Sequence, residues 1–255
     1  MKLSCIPHSD TALKQITLTL DDGTASALAV SGVKLLAWKS IGNSDRATKP
    51  LIWSVSQSVY QLNYVSDGPS FCAYLATDTV IAERTEIRPN AQYPIATGQT
   101  LAIGANGDAK IVNGGTAGAV TVKNADTVSL ICGLSQVEGS SSSIVPYCAA
   151  TIYPGFEETF YPVDKVLLAF SSADLVEGEY IAALAGSPAA QLDTASGYRV
   201  EAINSSSMLL VDLTSADSRS VSYSLDKGWS IDLWSKTYPA DTLLPSILIQ
   251  GDGLA

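Results

Sequence analysis

Apolar and polar residues alternate with a period of two along much of the chain. The stretches "KIVNGGTAGAVTVKN" (110–124), "YRVEAIN" (198–204), "SVSYSL" (220–225) and "SIDLW" (230–234) set apolar side chains against polar or small ones. This is the pattern of a strand with one buried face. Helical spacing is scarce. The Ala-rich "AGSPAAQLDTA" (185–195) is broken by Pro188, with Gly186 and Gly197 beside it,. Asp22-Gly23, Asn106-Gly107, Asn113-Gly114 and Lys227-Gly228 fall between apolar runs, where glycine and asparagine accommodate tight turns,. Short strands divided by such turns predict an all-β protein built from sandwich or barrel-like modules.

The pattern also recurs. Aligning Gly98 with Gly178 brings Asn124 opposite Asn204, and Asn43 precedes Asn124 by nearly the same interval. After each Asn comes an apolar segment, a polar turn and a Ser-rich alternating segment, and each copy then approaches a proline, at Pro89, Pro162 and Pro245. Internal repeats of about 80 residues are the expectation, with modules at 1–97, 98–177 and 178–255. The repeated Asn is expected to mark a corner between successive strands, because Asn tolerates the left-handed region and bonds nearby backbone.

Composition narrows the function classes. Hydrophobic residues make up 46% of the 255, enough for a sizeable core, and charged residues only 16%. Fifteen basic residues against 25 acidic ones give a net charge of −10, which disfavours nucleic acid and anionic membranes as partners,. No run of about 18 apolar residues marks a membrane span, and "MKLSCIPHSD" lacks a signal-peptide pattern, so synthesis in the cytoplasm is the expectation,.

Reactive side chains are few. His8 is the only imidazole, so a Ser-His-Asp or Cys-His arrangement would rest on one residue near the N-terminus,. Asp21-Asp22-Gly23 reads as a hairpin turn. Glu157-Glu158 reads as solvated charge before a strand, since adjacent strand residues point to opposite faces. "GANGDAKIVNGG" (104–115) lacks both EF-hand and P-loop order and reads as two hairpin turns around the strand "AKIV",. Cys5, Cys72, Cys132 and Cys148 are without C-x-x-C spacing. They read as buried hydrophobes, with a Cys132–Cys148 disulfide left open,. No cofactor is expected.

Two surface features remain. Alternation in "WSIDLW" puts Trp229, Ile231 and Leu233 on one face, which makes Trp229 a core residue and leaves Trp234 as a contact candidate. The stretch "TLLPSILIQGDGLA" (242–255) gathers Leu243, Leu244, Ile247, Leu248 and Ile249 around Pro245. It is either an interface between copies or with a partner, or a final strand buried in its own sandwich.

The phrase "VEAINSSSMLLVDLTSADSRSVSYSLDKGWSIDLW", with a strand closing on an Asn turn and a later "L-x-x-G-W" turn, resembles the β-sandwich accessory domains of bacteriophage virions. The resemblance runs through the middle and C-terminal modules. It implies a non-enzymatic structural or assembly protein of the capsid-decoration or tail-accessory type, found in the virion and contacting copies of itself or other virion proteins. A lectin-like module that binds glycan through Trp and Tyr faces is the alternative, and a glycoside hydrolase using carboxylates distant in sequence is the third.

Overall fold

The computed structural model describes residues 13–43, 47–77, 80–138, 144–184 and 207–251. The protein is mainly β, with 54% strand and 7% helix, in three sheets of which one is curled into a half-barrel. His8, Cys5, Asn204, the "YRVEAIN" segment and the Ala-rich 185–195 stretch lie outside the described residues.

Continuous ladders join the strands into two networks. The first runs β16 (Gly228–Trp229), β15 (Ser218–Ser224), β1 (Lys14–Leu20), β5 (Leu62–Ala76), β10 (Leu130–Glu138), β12 (Cys148–Ile152) and β3 (Lys49–Pro50). In it β6 (Ala91–Ile95) adds to β5, and β11 (Ile144–Pro146) adds to β10. The second runs β17 (Ser235–Pro239), β14 (Ser207–Asp212), β13 (Glu157–Ser171), β9 (Val120–Asn124), β7 (Gln99–Ile103) and β8 (Ala109–Asn113). β2 (Lys34–Gly42) also pairs with β13, and it carries β4 (Ser54–Val55) and β18 (Ile249–Gln250). β13 belongs to both parts of this network. Its start pairs Glu157–Phe160 with β9, and its end pairs Val166–Ser171 with β2.

The described strands do not display the expected repeat. β10, which follows Asn124, pairs with β5, β11 and β12 in the first network, whereas β14, its expected counterpart, pairs with β13 and β17 in the second. Nor do segments 1–97, 98–177 and 178–255 keep to their own sheets. β1 lies parallel to β15, with Gln15 opposite Ser218, and β2 lies antiparallel to β13. Hydrogen bonding in both networks crosses every expected module boundary, because strand edges left open by one segment are closed by another.

Three apolar clusters fill the layers. The largest, between the networks, joins Ile16, Leu18, Trp53, Leu134, Phe160, Phe170 and Val221. In it the Phe170 and Trp229 rings stack at 5.2 Å, with Tyr223 tilted against both. A second cluster covers the far side of β2 and β13 through Leu36, Trp38, Leu167 and Met208. A third covers the far side of β5 and β10, where Tyr74 and Ile131 meet Ile87 and Tyr180.

Two helices depart from the all-strand expectation. Asp21-Asp22-Gly23 does not form a hairpin turn; it starts α1 (Asp22–Val30). The Asp21 carboxylate accepts from the Thr24 amide at 2.8 Å and from the Thr24 hydroxyl at 2.9 Å, an N-cap that satisfies an otherwise orphaned donor,. Those bonds, the Thr24 amide first, hold the Asp21 carboxyl below its ordinary pKa. At the other terminus Gly32 adopts φ +64° and Val33 donates to the Leu28 carbonyl, closing the helix,. The second helix, α2 (Leu244–Leu248), begins with Pro in its first turn and buries Leu244, Ile247 and Leu248. Their i, i+3, i+4 spacing puts all three on one helical face, which a strand reading of the same residues could not do.

Candidate functional site

The interface residues expected from sequence fall in three environments. Leu244, Ile247 and Leu248 are core residues of this chain, buried in the cluster over β2. They present nothing to a partner in this fold. Ile249 is half-buried in β18, paired with Ile41, and Leu243 is exposed at the N-cap of α2. Trp234 is half-buried and packs against the central cluster. Trp229 is core as expected, its indole N–H donating to the Ser207 carbonyl at 3.0 Å. Ile231 and Leu233 are exposed instead of sharing its face. The strand stops at Trp229 because Asp232 and Ser235 hold a turn: the Asp232 amide donates to Ser235 Oγ, and the Leu233 amide donates to Asp232 Oδ1,.

Trp234 forms one wall of an open groove of about 570 Å³ on β13, β14 and β17. Strand register assembles the groove from residues far apart in sequence. Lys165 of β13 faces Asp212 of β14, and Leu210 of β14 faces Lys236 of β17. Lys165 Nζ lies 3.4 Å from Asp212 Oδ2, and the Thr214 amide donates to Asp212 Oδ1 at 2.8 Å. Burial opposes ionisation of Asp212, but the Thr214 bonds and Lys165 outweigh it and hold the carboxyl below its ordinary pKa,. Arg219 lies 5.0 Å from the Trp234 ring and donates to Ser215 Oγ at 3.0 Å, while Lys236 lies 4.9 Å from the Tyr238 ring. Both aromatics are thereby braced by cations.

A second feature surrounds Asn124. Its side chain is buried, and it ties three segments together. Nδ2 donates to the Val128 carbonyl at 2.8 Å, and Oδ1 accepts from the Asp126 amide at 2.9 Å. The backbone of Asn124 donates to the Phe156 carbonyl and accepts from the Gly155 amide. Asn124 thus makes the expected corner, but without the left-handed conformation; among the described non-glycine residues only Arg84 has positive φ. Asn43 resembles it locally, buried after β2 with Nδ2 on Thr48 Oγ1 at 2.6 Å. Around the Asn124 corner, Val128, Tyr153 and Phe156 are 52%, 58% and 66% exposed.

Sequence signals for these two features differ. Tyr153-Pro154-Gly155-Phe156 is a readable turn, with Gly155 at φ +79° and the Phe156 amide donating to the Tyr153 carbonyl, and it sets an aromatic at either end,. The groove carries no such signal, since Lys165, Asp212 and Lys236 meet only through strand pairing.

Other expected sites resolve simply. Of the two hairpin turns read around "AKIV", the one at Gly107 joins β7 to β8; beyond Gly114 the chain does not fold back on β8, and β9 pairs parallel with β7 instead. Glu157 and Glu158 open β13, opposite Lys123 and Val122. Cys132 and Cys148 are buried free thiols, so the disulfide left open between them is not formed, whereas Cys72, expected to be a buried hydrophobe, is disulfide-bonded. Cys132 faces Ala150, and Cys148 Sγ accepts from the Leu134 amide, so the two sulfurs are diagonal neighbours on the ladder,. Burial raises both pKa values, that of Cys148 to about 12,. Among the described residues, no three His, Cys, Asp or Glu side chains converge as a metal site would require.

No protein family, curated protein or solved structure matches the chain.

Proposed function

We propose that the protein is a non-enzymatic structural or assembly component that works through protein contacts, as a bacteriophage capsid-decoration or tail-accessory protein would. The observation that supports this reading is the Asn124 corner. Large apolar side chains at Val128, Tyr153 and Phe156 stand in solvent on loops fastened by a buried amide. Exposed apolar groups on a mobile loop lose conformational entropy when they dock; on a fastened loop that loss is smaller, which favours a contact surface.

The test is light scattering of the purified chain combined with electron microscopy, on the native sequence and on the double variant Tyr153→Ser/Phe156→Ser. The native protein is expected to form a defined oligomer. The variant, with an unchanged circular dichroism spectrum and thermal midpoint, is expected to lose it. A native monomer, or an oligomer indifferent to the double substitution, overturns the reading.

A further inference from the structure

We propose that the groove on β13, β14 and β17 binds an acidic saccharide. It is distinct from the Asn124 corner, since Lys165 lies eight residues along β13 from Glu157, about 26 Å in an extended strand,.

The chemistry of the lining selects the ligand class. Trp234 and Tyr238 both line the groove and are only partly buried, so beside the cations that brace them each leaves some aromatic surface against which the C–H face of a sugar ring can pack,. Thr214, Ser215 and Ser235 add hydroxyls that donate or accept, and the Asp212 carboxylate is an acceptor for sugar hydroxyls,. Lys165 and Lys236 converge on this groove in a chain whose net charge is −10. Lys236 is exposed on β17, its ammonium 4.9 Å from the Tyr238 ring and in no ion pair with a carboxylate among the described residues, so it can meet a ligand carboxylate, whereas Lys165 is held by Asp212. A ligand bearing one carboxylate per ring gains from Lys236 and Lys165 and tolerates Asp212. A ligand with dianionic phosphates is repelled by Asp212, and a wholly apolar one leaves these charges without partners. The volume of about 570 Å³ and the open mouth suit a short oligosaccharide running across the sheet surface,.

The experiment is an amide and indole NMR titration of the full chain with trigalacturonate, a glucuronate-containing disaccharide and sialyllactose, each beside its neutral counterpart. At least one acidic saccharide is expected to shift the Trp234 indole and the Lys236 and Asp212 amides, and to bind roughly tenfold or more tighter than its neutral counterpart. Lys236→Glu alters an exposed side chain, so it should fold normally and weaken binding by a similar factor. Trp234→Phe is the second variant and should weaken it less. Four results overturn the proposal: no shift with any acidic saccharide, equal affinity for the neutral counterparts, shifts located away from the groove, or binding unchanged in Lys236→Glu. Tighter binding of an oligoglutamate peptide, added as a competitor, overturns it too, because an extended acidic chain would then be pairing with the β17 edge.

Discussion

β1 and β2 follow one another in the chain, separated by a single helix, yet they use the strand in opposite ways. In β1, "KQITLTL", Ile16, Leu18 and Leu20 are buried and Thr17 and Thr19 look outward, with Ser220 and Ser222 of the adjoining β15 on the same outer face. In β2, "KLLAWKSIG", every residue from Leu35 to Gly42 is buried. The difference teaches that alternation reports solvent on one side of a strand and is no property of the strand itself. β2 lies between two apolar clusters, so both of its faces select for burial, and the polar residues it carries need partners inside the protein. Lys39 finds Gln136, whose own amide donates to the Gly68 carbonyl at 2.5 Å, and lies over the Trp53 and Tyr147 rings. Ser40 Oγ has no hydrogen-bond partner among the described residues.

The sharpest way to break this contrast is at β10, the doubly covered strand of the first network. A Cβ at Gly133 would sit 1.9 Å from the Cys148 carbonyl oxygen and 2.8 Å from the Tyr74 ring. That oxygen is already fixed by the Tyr74 hydroxyl at 2.8 Å. Gly133→Ala is expected to cost more than about 4 kcal/mol and to abolish cooperative unfolding, as read by urea denaturation. Trp38→Ala empties the second cluster while leaving the first intact, and a loss of about 3–5 kcal/mol is expected in the same assay,. Ser40→Ala acts in the opposite direction. Removing a buried hydroxyl that has no bond to lose should stabilise by up to about 1 kcal/mol, seen as a raised thermal midpoint,. On the open face, Ser220→Thr should change stability by no more than about 0.5 kcal/mol, in the stabilising direction, because only strand propensity is altered there,. A Ser220→Thr effect larger than that of Trp38→Ala would show that the outer face of β1 and β15 is covered.

The same contrast explains what could be read from the residues beforehand. Where one face meets water the pattern was legible: β15 and the β7–β8 hairpin follow alternation and a glycine turn, and Trp229 is core. Where burial is two-sided or helical it was not. "LLPSILI" looks like a strand until Leu244, Ile247 and Leu248 are placed on one turn of α2 beneath a sheet that only tertiary structure supplies. Asp21 was visible as a turn residue, but its side-chain bond to Thr24 sends the chain into a helix. The Asn124 corner was legible as a corner, since short-range amide bonds make it. The repeat built on it was not recovered, because strand partners are chosen across the whole chain. The groove was represented by Trp234 alone; Lys165, Asp212 and Lys236 become neighbours only through the β13–β14–β17 register.

The parallel pairing of β1 with β15 also has a temporal meaning. Gln15 and its partner Ser218 lie towards opposite ends of the sequence, so during synthesis from the N-terminus one long edge of β1 waits for most of the chain to leave the ribosome. β5 can close the other edge early, but the backbone donors and acceptors facing β15 stay open in the nascent chain,. The segment around Ser218 therefore completes a sheet that β1 begins, and chains halted before Ser218 would carry an adhesive edge that finished molecules hide,.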